Sequence, residues 1–239
     1  MKIALLGKGK TGRHIIELAE SRPGLTVTVF DREHRPDAGL LEGHDCIISF
    51  LPGDAFQTYI PDLIASGVPV VSASTGFSWP GGRVAFSMTL ADKGLSWIYG
   101  SNFSLGMNLI YSMIDVMRDA EVLLNGISYD LHEIHHTSKK DSPSGTALAW
   151  KQRLRRDVTI TSERTGDVNG LHALTLATPH EKITLTHEAL DRKLFAEGAL
   201  WAAKRLCDGL PPLPPGLHDF RDTVQHYLIT SPKNTEIPS

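Results

Sequence analysis

Apolar residues along this chain fall into two rhythms, and the change comes after a helix-like stretch that ends near Ala120. Before it, short apolar runs alternate with stretches of helical period. Lys2–Leu6 (KIALL) reads as a buried parallel strand, since strands covered on both faces are apolar throughout. RHIIELAES then carries apolar residues at helical spacing. Further strands are predicted at Leu25–Phe30, Asp45–Leu51, Val68–Ser72, Arg83–Met88 and Ser96–Tyr99. Helices are predicted over Gln57–Ser66 and from Leu105 to Ala120.

After that point polar and apolar residues alternate. Gly126–His135 (GISYDLHEIH) has the period of a half-buried strand. His132, Ile134 and His136 share one face, and Glu133 and His135 the other. Asp157–Thr161, Leu171–Thr178 and Glu181–His187 are candidate strands of the same kind. Between them Thr146–Arg155 reads as a helix, with Ser144 as its N-cap. Phe195–Cys207 is an amphipathic helix, and the Pro-rich segment 211–215 predicts a rigid connection to Asp219–Tyr227.

The loop after the first strand is GKGKTG, with glycines at 7, 9 and 12. Strand, G-x-G-x-x-G, helix, second strand and a following acid, Asp31, form a dinucleotide-binding pattern. Gly7 permits the tight turn, Gly9 lets the backbone approach a pyrophosphate, and Gly12 lets helix and strand pack closely. Lys8, Lys10 and Thr11 complete the loop. The N–H groups of the helix N-terminus face the phosphates. Asp31 would hydrogen-bond both hydroxyls of the adenosine ribose, favouring NADH, whereas Arg32 could pair with the 2′-phosphate of NADPH. Both cofactors stay open. Two further turns, Ala73-Ser74-Thr75 and Gly100-Ser101-Asn102-Phe103, follow strands and could line the same crevice.

Composition narrows the class. A chain of 239 residues, 41% hydrophobic, has enough apolar material for one large domain or two modest ones. A net charge of −3 argues against a nucleic-acid partner, and no apolar run is long enough to span a membrane. Cys46 and Cys207 are far apart in sequence and read as buried free thiols, which fits a reducing, cytoplasmic compartment.

Residues 132–146, HEIHHTSKKDSPSGT, crowd three histidines and two lysines before a helix start. A helix N-terminus, ammonium groups and imidazoles converging on one spot make an anion trap. No metal is expected: the histidines lack H-E-x-x-H spacing, and an amine-rich loop is a poor cation site. EIHHTSKKDSPSGTA resembles the E-x-H-H-x-x-K-x-D-x-P-S-G-T-A signature of the dihydrodipicolinate reductase family. STGF (74–77), SNFS (101–104), ERTGDVNGLHAL and LTHEALDRKLFAEGAL (185–200) resemble other segments of that family, in order along nearly the whole chain.

The resemblance implies an NADH- or NADPH-dependent reductase in the diaminopimelate and lysine pathway. Its substrate would be a small cyclic dicarboxylate, 4-hydroxy-tetrahydrodipicolinate, reduced with loss of water to tetrahydrodipicolinate. His135 and Lys139 take the catalytic positions. His136, Lys139, Ser144, Gly145 and Thr146 take those that bind substrate carboxylates. Lys140 replaces a usually uncharged position. The glycine loop is one residue shorter than the family's G-x-x-G-x-x-G, Ala73 stands where glycine is common, and Ser101 where proline is common. The chain is also trimmed between Arg156 and Ser162. The expected fold is α/β: a Rossmann-type dinucleotide-binding domain (1–105 and 193–239) and a smaller α+β substrate and oligomerisation domain with an open mixed sheet (106–192). Hinges near 104–107 and 190–194 would let the domains close over substrate. The family further implies a homotetramer. Rival readings are another two-domain NAD(P)-dependent imine or amino-acid reductase, and a non-catalytic dinucleotide sensor.

Overall fold

The first apolar run forms β1 (Lys2–Leu6), and the glycine loop that ends it leads into α1 (Lys10–Glu20). β2 (Thr26–Phe30), α2 (Ala38–Leu41), β3 (Cys46–Ser49), α3 (Gly53–Ala65), β4 (Val70–Ser72), α4 (Gly82–Asp92) and β5 (Ser96–Tyr99) follow. The chain then leaves for a second unit, Leu105–Asp191, and rejoins the first from Arg192 onward. The second unit contains α5 (Leu105–Asp119), a 3₁₀ turn over Ala120–Val122, β6 (Ser128–His135), α6 (Gly145–Leu154), β7 (Thr159–Arg164), β8 (Leu171–Ala177) and β9 (Lys182–Glu188). α7 (Lys193–Asp208), β10 (Gly216–Asp219) and α8 (Phe220–Thr230) complete the first unit. This computed structural model describes residues 1–209 and 213–230, so Pro211 and Pro212 of the expected rigid connection lie outside the described residues.

The six strands of the first unit lie in the order β10-β5-β4-β3-β1-β2, and every pairing is parallel. β2 and β3 flank β1 on opposite sides, so the strand order reverses there, and the loops at the carboxyl ends of β1 and β3 bound a crevice. Helices cover both faces, which is why β3 and β4 are buried throughout. One face packs Ala4, Leu6, Ile47, Val70 and Trp97 against Phe56, Leu63, Phe86 and Leu90.

Arg83–Met88, expected as a strand, lies in the first two turns of α4. RVAFSM alternates over six residues, but Phe86 and Leu90, four apart, are buried, while Val84 and Met88 are exposed. β4 and β5 pair in parallel, and a parallel pair needs a crossover. β10, too short for a sequence signal, adds an edge strand beside β5. Cys207 is exposed rather than buried, and its thiol donates to the Asp45 carbonyl beside Cys46.

In the second unit the strand order is β7-β6-β8-β9, with β6–β7 parallel and the other pairs antiparallel. α5 and α6 cover one face: Ile114, Trp150 and Leu154 pack on Leu131, Leu174 and Leu176. The register puts Glu133 opposite Ser162 on β7 and His172 on β8, and His135 opposite Arg164. All five side chains therefore belong to the helix-covered face. Among the described residues no helix is long and apolar enough to cross a membrane.

Trp97 is 1% exposed at the heart of the first sheet. Trp97→Ala should destabilise the first unit by about 3–5 kcal/mol, read as a lowered urea midpoint.

Candidate active site

The two motifs lie in different units. In the first, Gly7 has φ +93°, which only glycine adopts without strain, and turns the chain out of β1. A Cβ on Gly12 would lie 2.1 Å from the Gly7 carbonyl oxygen, so α1 can approach the loop this closely only with glycine there. A Cβ on Gly9 would meet nothing within 4 Å, leaving the cradle open. Gly9 caps α1 with no side-chain hydrogen bond, so its first-turn N–H groups, at Lys10, Thr11 and Gly12, have no side-chain cap. These residues fit the diphosphate of a dinucleotide.

Asp31 directly follows β2, as the pattern requires, and it is already engaged. Lys8 Nζ lies 2.6 Å from its Oδ2, and the Glu33 and His34 backbone N–H groups donate to its Oδ1 at 3.0 and 3.1 Å. Lys8 first, then the His34 N–H, hold the carboxyl well below the usual carboxylate range. Arg32 is exposed. Thr11, Ala73, Ser101 and Phe103 line one cavity of about 210 Å³, together with Phe50, Arg192 and Phe195, which the sequence did not single out. Ser74 is buried and its hydroxyl meets that of Ser49 at 3.3 Å, while Thr75 is exposed. Gly100 N–H donates to the Ser72 carbonyl. Asn102 Oδ1 accepts from Ser104 N–H, closing the turn, and Phe103 packs on Phe220 at 4.3 Å.

In the second unit Ser144 caps α6, its hydroxyl accepting from Ala147 N–H at 3.1 Å. Gly145 is exposed and a Cβ there would meet nothing within 4 Å; Thr146 is half-buried behind it. Lys139 Nζ meets both carboxylate oxygens of Asp141, at 2.7 and 2.8 Å. That ammonium and the Gly145 backbone N–H hold the Asp141 pKa down. His136 Nδ1 lies 2.8 Å from Ser138 Oγ, and its carbonyl accepts from Lys139 N–H. Lys140 is exposed.

His135 is 5% exposed, and its Nδ1 lies 3.7 Å from Glu133 Oε2. Burial lowers its pKa, opposed by Glu133. Glu133 is fully buried yet ionised. Burial alone would raise its pKa, but hydrogen bonds from Ser144, Ser162 and Arg164 outweigh that and hold it at about 2. His172 Nε2 lies 3.0 Å from Ser144 Oγ and 3.6 Å from Glu133 Oε2. Burial pushes its pKa down to about 4, so it is neutral at pH 7. Sequence reasoning gave no role to Glu133, Asp141, Arg164 or His172. The alternation of β6 does put Glu133 on the face of His135, and that was the available signal. Glu133, His135 and His172 bring potential metal-ligand atoms within 4.8 Å of one another, although Arg164 and Ser144 N–H already occupy the carboxylate.

The pattern that defines the C-terminus of dihydrodipicolinate reductase matches residues 106–223. Curated 4-hydroxy-tetrahydrodipicolinate reductases are similar along most of their length. The Christiangramia forsetii protein is 32% identical, over 87% of this chain and 93% of its own. The Thermosipho africanus protein is 28% identical, over 96% of this chain and all of its own. Among solved structures, a dipicolinate-bound dihydrodipicolinate reductase from a Paenisporosarcina species superposes with a TM-score of 0.76 at 16% identity, covering 92% of this chain and 97% of that one. A C. glutamicum DAP dehydrogenase in complex with DAP gives 0.56 at 11% identity, covering 97% of this chain and 99% of that one.

Two outcomes follow. Gly12→Ala must displace the Gly7 carbonyl; it should cost roughly 1–3 kcal/mol and weaken dinucleotide binding, measured by fluorescence titration. His172, with its pKa lowered from 6.5 to about 4, binds fewer protons folded than unfolded within that window. Stability should therefore fall as pH drops from about 6.5 to about 4, and fall again below about 4.5 as Glu133 is protonated. His172→Gln should flatten the upper part of that profile in melting curves recorded against pH.

Proposed function

The chain belongs to the dihydrodipicolinate (4-hydroxy-tetrahydrodipicolinate) reductase family, and from that membership we propose that it reduces 4-hydroxy-tetrahydrodipicolinate to tetrahydrodipicolinate, with loss of water, in the route to diaminopimelate and lysine. It is an oxidoreductase that uses NADH or NADPH, and the bound cofactor supplies the hydride. The Gly7–Gly12 cradle and the α1 N-terminus hold its phosphates, Asp31 and Arg32 contact the adenosine ribose, and the turns at Ala73–Thr75 and Gly100–Phe103 flank it.

One observation carries the substrate assignment. Asp141 puts a carboxylate against Lys139 Nζ through both of its oxygens, just ahead of the α6 N-terminus, so the spot proposed for a substrate carboxylate is one that holds carboxylates. The substrate competes with this internal ligand for Lys139. Ser144, Gly145 and Thr146 present the α6 N-terminus, and His136 adds an imidazole donor. Hydride arrival at an electrophilic ring carbon leaves charge elsewhere in the conjugated system. The Lys139 ammonium stabilises that charge and gives the proton, while His135 orients and polarises.

The protein is proposed to act in the cytoplasm as a homotetramer built through its second unit. The sheet face opposite α5 and α6 supports this: Ile134, Leu171, Ala173 and Thr184 lie on it, none of them fully buried. Light scattering should give a mass four times that of one chain.

The decisive assay follows NADH and NADPH oxidation at the nicotinamide absorbance, with substrate made in situ from pyruvate and aspartate semialdehyde by the preceding synthase. Synthase-dependent oxidation is expected. Cofactor binding without oxidation would point to a sensor or another substrate. Lys139→Ala should lower kcat by about 10²–10⁴-fold with dinucleotide affinity unchanged. Equal losses of both would remove Lys139 from the substrate side.

A further inference from the structure

We propose that Glu133 is the positioning residue of this site: its buried carboxylate fixes His135 and the first residue of the anion-binding turn relative to each other, and keeps the protonated form of His135 accessible. The inference rests on the roles proposed above for His135 and Lys139.

An ionised carboxylate with no exposure survives only if its partners repay its lost hydration. Partners reach Glu133 from four directions. Arg164 on β7 lies 3.1 Å from Oε1. Ser144 N–H donates to both oxygens, at 3.0 and 3.1 Å. His172 on β8 and His135 on β6 itself approach Oε2 at 3.6 and 3.7 Å. The sheet register sets three of these, and the helix cap sets the fourth.

The arrangement exceeds what stability needs. Arg164 and the Ser144 N–H already satisfy the carboxylate. Turning Oε2 toward two imidazoles adds no hydrogen bond at 3.7 Å, but it places negative charge beside a histidine that burial would otherwise hold neutral. Lys139 and Arg164 also face His135 and oppose its protonation, while the neighbouring His172 ring is neutral. Asp141 is the other acid that favours it, and Asp141 is exposed and committed to Lys139. Glu133 is therefore the principal group that lets His135 carry a proton. Its grip on Ser144 N–H ties that histidine to the turn proposed to hold the substrate carboxylate.

Glu133→Gln keeps the shape and an acceptor for Ser144 N–H but removes the charge. Expected are a kcat at least about tenfold lower, little change in KM or dinucleotide affinity, and a shift of the alkaline limb of the kcat profile to lower pH. Glu133→Asp, which keeps the charge, should restore part of the rate. Nitrogen NMR of the His135 ring gives a reading independent of turnover: its pKa should fall in Glu133→Gln. An unchanged His135 titration overturns the proposal, as does a variant that loses only thermal stability while its folded fraction turns over normally. If wild-type protein fails to reduce the dicarboxylate, the functional reading fails, and the NMR titration still decides the role of Glu133. Should Glu133→Gln not fold, Glu133→Gln with Arg164→Met removes both charges of the buried pair, and the His135 pKa should still fall, by less than in the single variant because Arg164 no longer opposes protonation; no fall overturns the proposal.

Discussion

A helix begins with N–H groups that nothing inside it can satisfy, and both candidate sites of this protein are answers to that constraint. At α1 the answer is deferral. Gly9 caps without a side chain, and the first turn is left for an anion from outside. At α6 the answer is partial. Ser144 covers one donor, the Ala147 N–H, with its own hydroxyl. The difference suits what each is proposed to hold. A diphosphate brings several oxygens and rewards an open cradle, whereas a single carboxylate needs two donors and a cation.

Holding α6 in place requires something beneath it. The sheet of the second unit supplies a carboxylate there, and much of the local structure follows from keeping that charge buried. Arg164 neutralises it and also reaches the Asp141 carbonyl, so one guanidinium ties β7 to the loop that carries Lys139. His172 stays neutral between Ser144 and the carboxylate, its ring against Trp150 and His135. Lysine, histidine and helix end thus sit on a frame whose parts are charged but internally matched. Such frames resist small displacements, because any shift exposes an unpaired buried charge.

How much of this was legible in the sequence depends on distance along the chain. The run from KIALL through the glycines to Asp31 is local, and its strand, helix, strand and acid stand where the pattern puts them. Ser144 is legible for the same reason, since a cap acts three residues away. The alternation of β6 sorted its two faces correctly. The pairing of Glu133 with Arg164 and His172 was out of reach, because it depends on which strands become neighbours and in what register. RVAFSM misled because six residues cannot separate period 2 from period 3.6 when the parallel crossover is unknown. β10 gave too little signal, with four residues of mixed character. Cys207 looked apolar in its neighbourhood, yet its own position on α7 points outward.

The pairing of β10 with β5 bears on how the chain is made. β5 ends at Tyr99, and the strand that completes its edge begins at Gly216. Everything in the second unit is synthesised between them. Until Gly216–Asp219 has been made, the first sheet carries an open edge at β5, and an open edge invites pairing with other chains. The second unit has no such wait, because its four strands are contiguous in sequence and its contacts are comparatively local. The half that is proposed to recognise the substrate can therefore mature while the half proposed to recognise the cofactor is still unfinished, and a chain truncated before Gly216 would keep its substrate frame but expose β5.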